Sequence, residues 1–209
     1  METLDYESVG ANNYTVLSWH EMMLEGLSRT PAQDLSLYGE DYLKSRIGNK
    51  VVSLRNNEIS YRKQVAQAET DLNSALQTHT LKPAYQATVS SMLGNYDFSK
   101  QEFPVTFVDA FELPGGNNIE RLPRKITVNL SNHAALPNLA MTPDQAETFL
   151  AARKNARGLY IRYVIEITGM TTPSVFDAKV REIQFIDVKP SMVTREEKEK
   201  HAPFQAVKI

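Results

Sequence analysis

Four histidines, His20, His79, His133 and His201, are the side chains best suited to acid–base or metal chemistry near neutral pH. None stands at the HxxxH or HxH spacing that sets two imidazoles side by side on a helix or strand, so there is no local metal pair. His79 falls at the end of a helical pattern, where an imidazole is expected to meet terminal carbonyls. His133, beside Asn132, is expected in a loop. A serine nucleophile needs a positioned base, but no GxSxG elbow occurs, and Ser90, Ser91 and Ser131 read as strand or loop residues. The one glycine pair, Gly115-Gly116, lacks both the lysine of a phosphate loop and a GxGxxG frame, and reads as a hairpin connection. The spaced acids of a calcium-binding loop are missing as well. The chain has no cysteine, which excludes disulfides, thiolate catalysis and cysteine-ligated zinc or iron–sulfur centres. No cofactor is expected.

Charged groups offer more. Strict alternation puts Asp109 on the same side of a strand as Phe107 and Phe111. A carboxylate buried there would have a raised pKa or require a partner, unless a bulge or a strand end re-aims it. Arg121 and Arg124, in the run Arg121-Leu122-Pro123-Arg124-Lys125, form a compact basic patch that suits an acidic partner or a phosphate, or simply a solvated loop. Tyr160, Arg162 and Glu166 occupy alternate positions of one strand, so they line one surface, with Lys179, Arg181 or Glu182 as neighbours from the next strand. Cross-strand ion pairs are the plain reading of that row, and a binding surface is the functional one.

The elements that position these groups follow from periodicity. Leu159, Ile161, Tyr163, Ile165 and Ile167 alternate with Tyr160, Arg162, Val164, Glu166 and Thr168. That is the period of a strand with one face on a core and one nearer water. A second run, Val175 to Val188, follows a short break. Further strands are expected over Gln86–Leu93, Pro104–Leu113 and Lys125–Ser131, with Pro114 to Asn118 as a turn. Upstream the pattern is helical. Tyr61, Val65, Ala68, Leu72, Ala75 and His79 share one stripe of a helix from about Asn57 to Thr78. Ser18 caps an earlier helix, with Glu21 completing a capping box, and Thr30-Pro31 starts another. Gly39 and Gly48 keep that region to short helices. One helix over residues 143–157 interrupts the strands, capped by Thr142 and stopped at Gly158.

The fold class is therefore α+β: a flexible N-terminus over 1–12, a helical region over 13–82, a β-rich domain over 84–190 with a mainly antiparallel sheet of about five strands, and a charged tail over 191–209. Mixed charges from Arg195 to Lys200 read as a solvated helical turn or a flexible tail. The 209 residues are 42% hydrophobic with a net charge of −2, so a core is available and the basic excess of a nucleic-acid binder is absent. No apolar run reaches the length of a transmembrane segment. The acidic start, Met1 to Glu7, has no apolar centre and is not a secretory signal, so the envelope or periplasm, which the lack of cysteine favours over the cytoplasm, requires a removed leader.

These features point to a non-enzymatic binding or assembly module, bacterial and of the cell envelope, whose partner is another protein or a second copy. The alternatives are a small-molecule hydrolase that assembles Asp109 with Glu112 or Glu166 in space, and an inhibitor or immunity-type protein that blocks an enzyme. In the last case Tyr160, Arg162 and the Tyr96–Phe103 loop are the anchors.

Overall fold

The computed structural model of the chain describes residues 14–30, 34–116, 118–187 and 197–209. The expected flexible segment over 1–12, Pro31, Asn117, Val188 and residues 191–196 of the expected tail lie outside them.

The helices come first. Ser18 accepts a hydrogen bond from the Glu21 N–H and caps α1 (Trp19–Ser28). The Glu21 side chain does not complete the box but turns inward and is buried. A 3-10 turn at Leu35–Tyr38, α2 (Gly39–Ile47) and α3 (Lys50–Leu54) follow, as short as the glycines predict. Gly48 ends α2 with φ of 56°, a conformation that costs glycine little. The long helix α4 (Glu58–Thr78) is capped by Asn57, and its predicted stripe is the face that packs inward: Ala68 and Leu72 are buried, and Tyr61, Val65 and Ala75 lean on the core. Among the described residues no helix is long and apolar enough to cross a membrane.

The sheet then forms from β1 (Thr15–Val16), β2 (Tyr85–Met92), β4 (Ala110–Pro114), β5 (Lys125–Leu130), β7 (Gly158–Thr172), β8 (Val175–Ile186) and β9 (Gln205–Lys208). Its order is β1-β2-β7-β8-β5-β4, with β9 also on β8. The pairs β1·β2 and β5·β8 are parallel and the rest antiparallel, so the α+β class holds with a mixed, mostly antiparallel sheet. Among the described residues its two ends do not pair, so the sheet is open rather than a barrel. β3 (Glu102–Phe103) and β6 (Leu139–Ala140) make a separate small ribbon.

Three expectations change. Residues 104–109 precede β4 instead of extending it, so the expected strand over Pro104–Leu113 shrinks to its second half. The inserted helix, α5 (Pro143–Ala152), carries the full capping box Thr142/Gln145 but stops well before residue 157. Lys154 and Asn155 take left-handed backbone angles there, and Gly158 opens β7 rather than closing the helix. The C-terminal residues are the third change: 197–199 form the expected helical turn with Glu197 and Lys200 exposed, but Glu199 is buried and β9 joins the sheet, so the tail is docked rather than free.

One sheet face, carrying Tyr85, Ile161, Tyr163, Ile165 and Ile183, is the predicted greasy side and joins α1, α2 and α4 in a single core. Trp19 anchors that junction by donating from Nε1 to the Pro123 carbonyl at 2.8 Å. The opposite face was expected to approach water. From Tyr160 to Val164 it is buried too, because residues 197–201 return across it.

Candidate functional site

Register decides what lies on that second face. Thr88 of β2 stands opposite Arg162 of β7, and Gln184 of β8 stands opposite Arg162 from the other side. Gln86 lies one step along, opposite Val164. Arg162 is completely buried. Its Nε donates to Thr88 Oγ1 at 3.3 Å and its Nη1 to Gln184 Oε1 at 3.0 Å. Its Nη2 is aimed at the returning chain and donates to the carbonyls of Lys198 at 3.1 Å, Glu199 at 2.8 Å and His201 at 2.9 Å.

Glu199 is the counter-charge. It is 7% exposed, and its Oε2 lies 3.9 Å from Arg162 Nε. The carboxylate accepts from Thr88 Oγ1 at 2.6 Å, from the Thr88 N–H at 3.0 Å and from Gln86 Nε2 at 3.0 Å. Lys198 Nζ donates to the Thr88 carbonyl. Burial lowers the guanidinium pKa from its ordinary value and the Glu199 charge opposes that shift, yet an arginine stays protonated. The row therefore grips a peptide: a fork of donors on main-chain carbonyls, beside a cradle for one carboxylate.

The other predicted residues do not join this site. Tyr160 lies on the same strand face but is buried, opposite Ser90 and Ile186. Glu166, past the covered stretch, pairs across the strands with Arg181, the plain reading of that position. Asp109 is exposed, not buried, because it comes just before β4 and alternation does not reach it; its carbonyl accepts from the Leu130 N–H. Glu112 pairs with Lys125. Arg121 and Arg124 sit on a loop whose anion is already supplied. Asp41 Oδ2 accepts the N–H groups of Glu120, Arg121 and Leu122, and Arg124 Nε turns back to the Ile119 carbonyl at 2.7 Å. Lys44, buried beside Asp41, balances that carboxylate.

A second polar cluster escaped the sequence reading. Glu25 of α1 accepts from Arg29 and meets His79 Nε2 at 2.9 Å, with both pair members under 6% exposed. His79 therefore turns to a carboxylate, not to the carbonyls at the end of α4. His20 Nε2 lies 3.0 Å from the Tyr42 hydroxyl. Burial, with Arg46 and His79 close by, lowers the His20 pKa to about 4, so its ring is neutral at pH 7. Burial pushes Tyr85 up to about 12, helped by the Glu21 and Glu25 carboxylates, and its hydroxyl bonds Glu21. Of these groups His20, Glu21 and His79 edge a cavity of about 110 Å³, with Thr78 and Lys82 among its other lining residues. That is well below the roughly 300–1,000 Å³ of a ligand pocket. Among the described residues no three His, Asp or Glu side chains are placed to hold a metal. The sequence signal was there to use: Glu21 and Glu25 share a helix with Trp19, Met22 and Met23 and fall among its buried positions.

Comparison with known proteins adds one relation. Residues 39–152, more than half of the chain, match the family described as Domain of unknown function (DUF4852). The match begins at the first residue of α2 and ends at the last residue of α5. It takes in Thr88 and the Asp41-held loop, while Arg162 and Glu199 lie beyond it. No curated protein and no solved structure matches the chain. The chain belongs to the DUF4852 family.

Proposed function

We propose that this chain is a non-enzymatic binding or assembly module that works by holding a peptide segment against the β2–β7–β8 face. One observation carries the reading: a fully buried arginine spends one nitrogen on three main-chain carbonyls of a crossing segment. The same segment goes on to pair as β9 with the edge of β8, and added strands are how sheets recognise extended peptides. The hydrolase alternative loses ground because its three acids do not share a site: Glu112 and Glu166 are in ion pairs and Asp109 is exposed ahead of its strand.

The expected partner is another protein or a second copy of the chain. Crosslinking the full chain in its source cells, with mass spectrometry of the products, tests this. A defined complex or oligomer, with crosslinks at Lys179, Lys200 or Lys208, is the expected result. A strictly monomeric chain that yields no crosslinked partner overturns the reading.

Phe98 favours a second reading, an inhibitor or immunity-type role. It is 76% exposed at a tip pinned by Asp97, whose Oδ1 accepts from the Ser99 and Lys100 N–H groups, and it stacks edge-on against Tyr96 with centroids 4.9 Å apart. A rigid, exposed aromatic is a common anchor in such interfaces. Phe98→Ala should then abolish inhibition of the enzymatic partner, and unchanged inhibition removes this role.

A further inference from the structure

The two faces of this sheet are built differently. The helix-covered face is aliphatic and aromatic, as a permanent core is. The face under the C-terminal segment is mixed: buried Gln86, Thr88, Arg162 and Gln184 form a polar row at its centre, between Tyr160 and Ile186 on one side and Val164 on the other. An arginine is costly to bury unless its donors are matched, and here one short stretch, residues 198–201, provides most of the match. If that stretch lifts away, water can satisfy the polar row, whereas a wholly aliphatic face would be left bare. Surfaces that tolerate both states are characteristic of exchangeable interfaces.

Two further observations agree. Gln86 Oε1 is buried and has no hydrogen-bond partner among the described residues, a penalty that uncovering removes. The segment also docks as an added strand. The Phe204 N–H donates to the Phe185 carbonyl at 2.9 Å, β9 runs antiparallel along Glu182 to Phe185, and the Ile209 N–H donates to the Arg181 carbonyl at 2.8 Å. β5 takes the same strand only at Val175 to Ala178, so the edge under β9 has no other strand on it among the described residues.

We infer that residues 197–209 are a self-docked strap, and that the face beneath accepts in their place a peptide from a partner protein that carries a glutamate in a turn just ahead of a strand. The incoming peptide would set a carboxylate in the Thr88–Gln86 cradle, give its carbonyls to Arg162 and continue as a strand on β8. This inference rests on the binding-module reading and names the chemistry of its partner.

A fluorescent peptide of residues 197–209 is the probe, titrated into the full chain. Glu199→Ala loosens the strap, so that variant should bind the peptide at least tenfold more tightly than the unaltered chain. Lys198→Ala loosens it by a different contact and should act in the same direction. A peptide with Gln in place of its residue-199 Glu should bind at least tenfold more weakly. Adding Thr88→Val to Glu199→Ala should remove the preference for the peptide that carries Glu over the one that carries Gln, with circular dichroism confirming the fold of each variant. In hydrogen exchange on the unaltered chain, residues 197–209 should open before β7 does.

Failure of both folded, loosened variants to bind the peptide overturns the inference. So does binding indifferent to the peptide carboxylate, or a strap that exchanges only together with β7. A partner recovered by crosslinking without any peptide binding sinks the strap inference and leaves the binding-module reading standing. Peptide binding without any recovered partner or oligomer upholds the exchangeable face and sinks that reading.

Discussion

His20 shows how burial, with cationic neighbours at Arg46 and His79, sets a residue's chemistry. An unperturbed imidazole titrates near 6.5, whereas burial here brings it to about 4. The folded chain therefore refuses a proton that the unfolded chain accepts. The resulting stability is complete above about pH 6.5 and is lost as pH falls toward 4, with a total on the order of 3 kcal/mol. Urea titrations at pH 7 and pH 4.5 check this: His20→Asn should lose roughly 2 kcal/mol less than the unaltered chain over that interval. Parallel losses would show that His20 does not carry the effect. Gly115 is set by space instead. A methyl group there would stand 2.2 Å from Trp19 Nε1. Gly115→Ala should cost about 1–3 kcal/mol in chemical denaturation, and Trp19→Phe in that background should cost less than it does alone. An unchanged midpoint for Gly115→Ala would mean that the indole moves aside freely.

At the scale of elements, capping and backbone conformation decide where helices begin and end. Thr142 and Gln145 close a reciprocal box at the start of α5. Thr142→Ala should lower stability by about 1 kcal/mol, read from a thermal or urea midpoint, and no change would mean that α5 is held by packing alone. The starts of α1 and α5 were legible because Ser18 and Thr142 are short polar side chains ahead of helical patterns, and Asn57, taken only as the approximate start of α4, caps it. The end of α5 was not legible, because Lys154 and Asn155 adopt left-handed angles in spite of their side chains. Asp109 misled for a related reason: alternation is informative only inside a strand, and β4 starts one residue later.

For the molecule as a whole, β7 is the organising strand. It pairs with β2 on one side and β8 on the other, and it is buried on both faces from Leu159 to Ile165. Its amides there should exchange only by global unfolding. Those around α3, where Val52 is 63% exposed, should exchange at least roughly a hundredfold faster. Similar rates in the two regions would contradict a core centred on β7. The candidate site depends on this same strand, because Arg162 can reach the crossing segment only from the middle of a covered sheet.

The chain by itself determined the α+β class, the α4 stripe, the caps and the inner face of β7, since each is written in residues a few positions apart. It also placed Tyr160 and Arg162 on one strand face, which was correct as geometry. What the tertiary structure alone decided is that this face is covered, and by what. Thr88 and Glu199 meet across 111 positions of sequence, and neither residue carries any local sign of the other. A period of two says which side chains share a face, but only the return of distant chain decides whether that face meets water or a peptide.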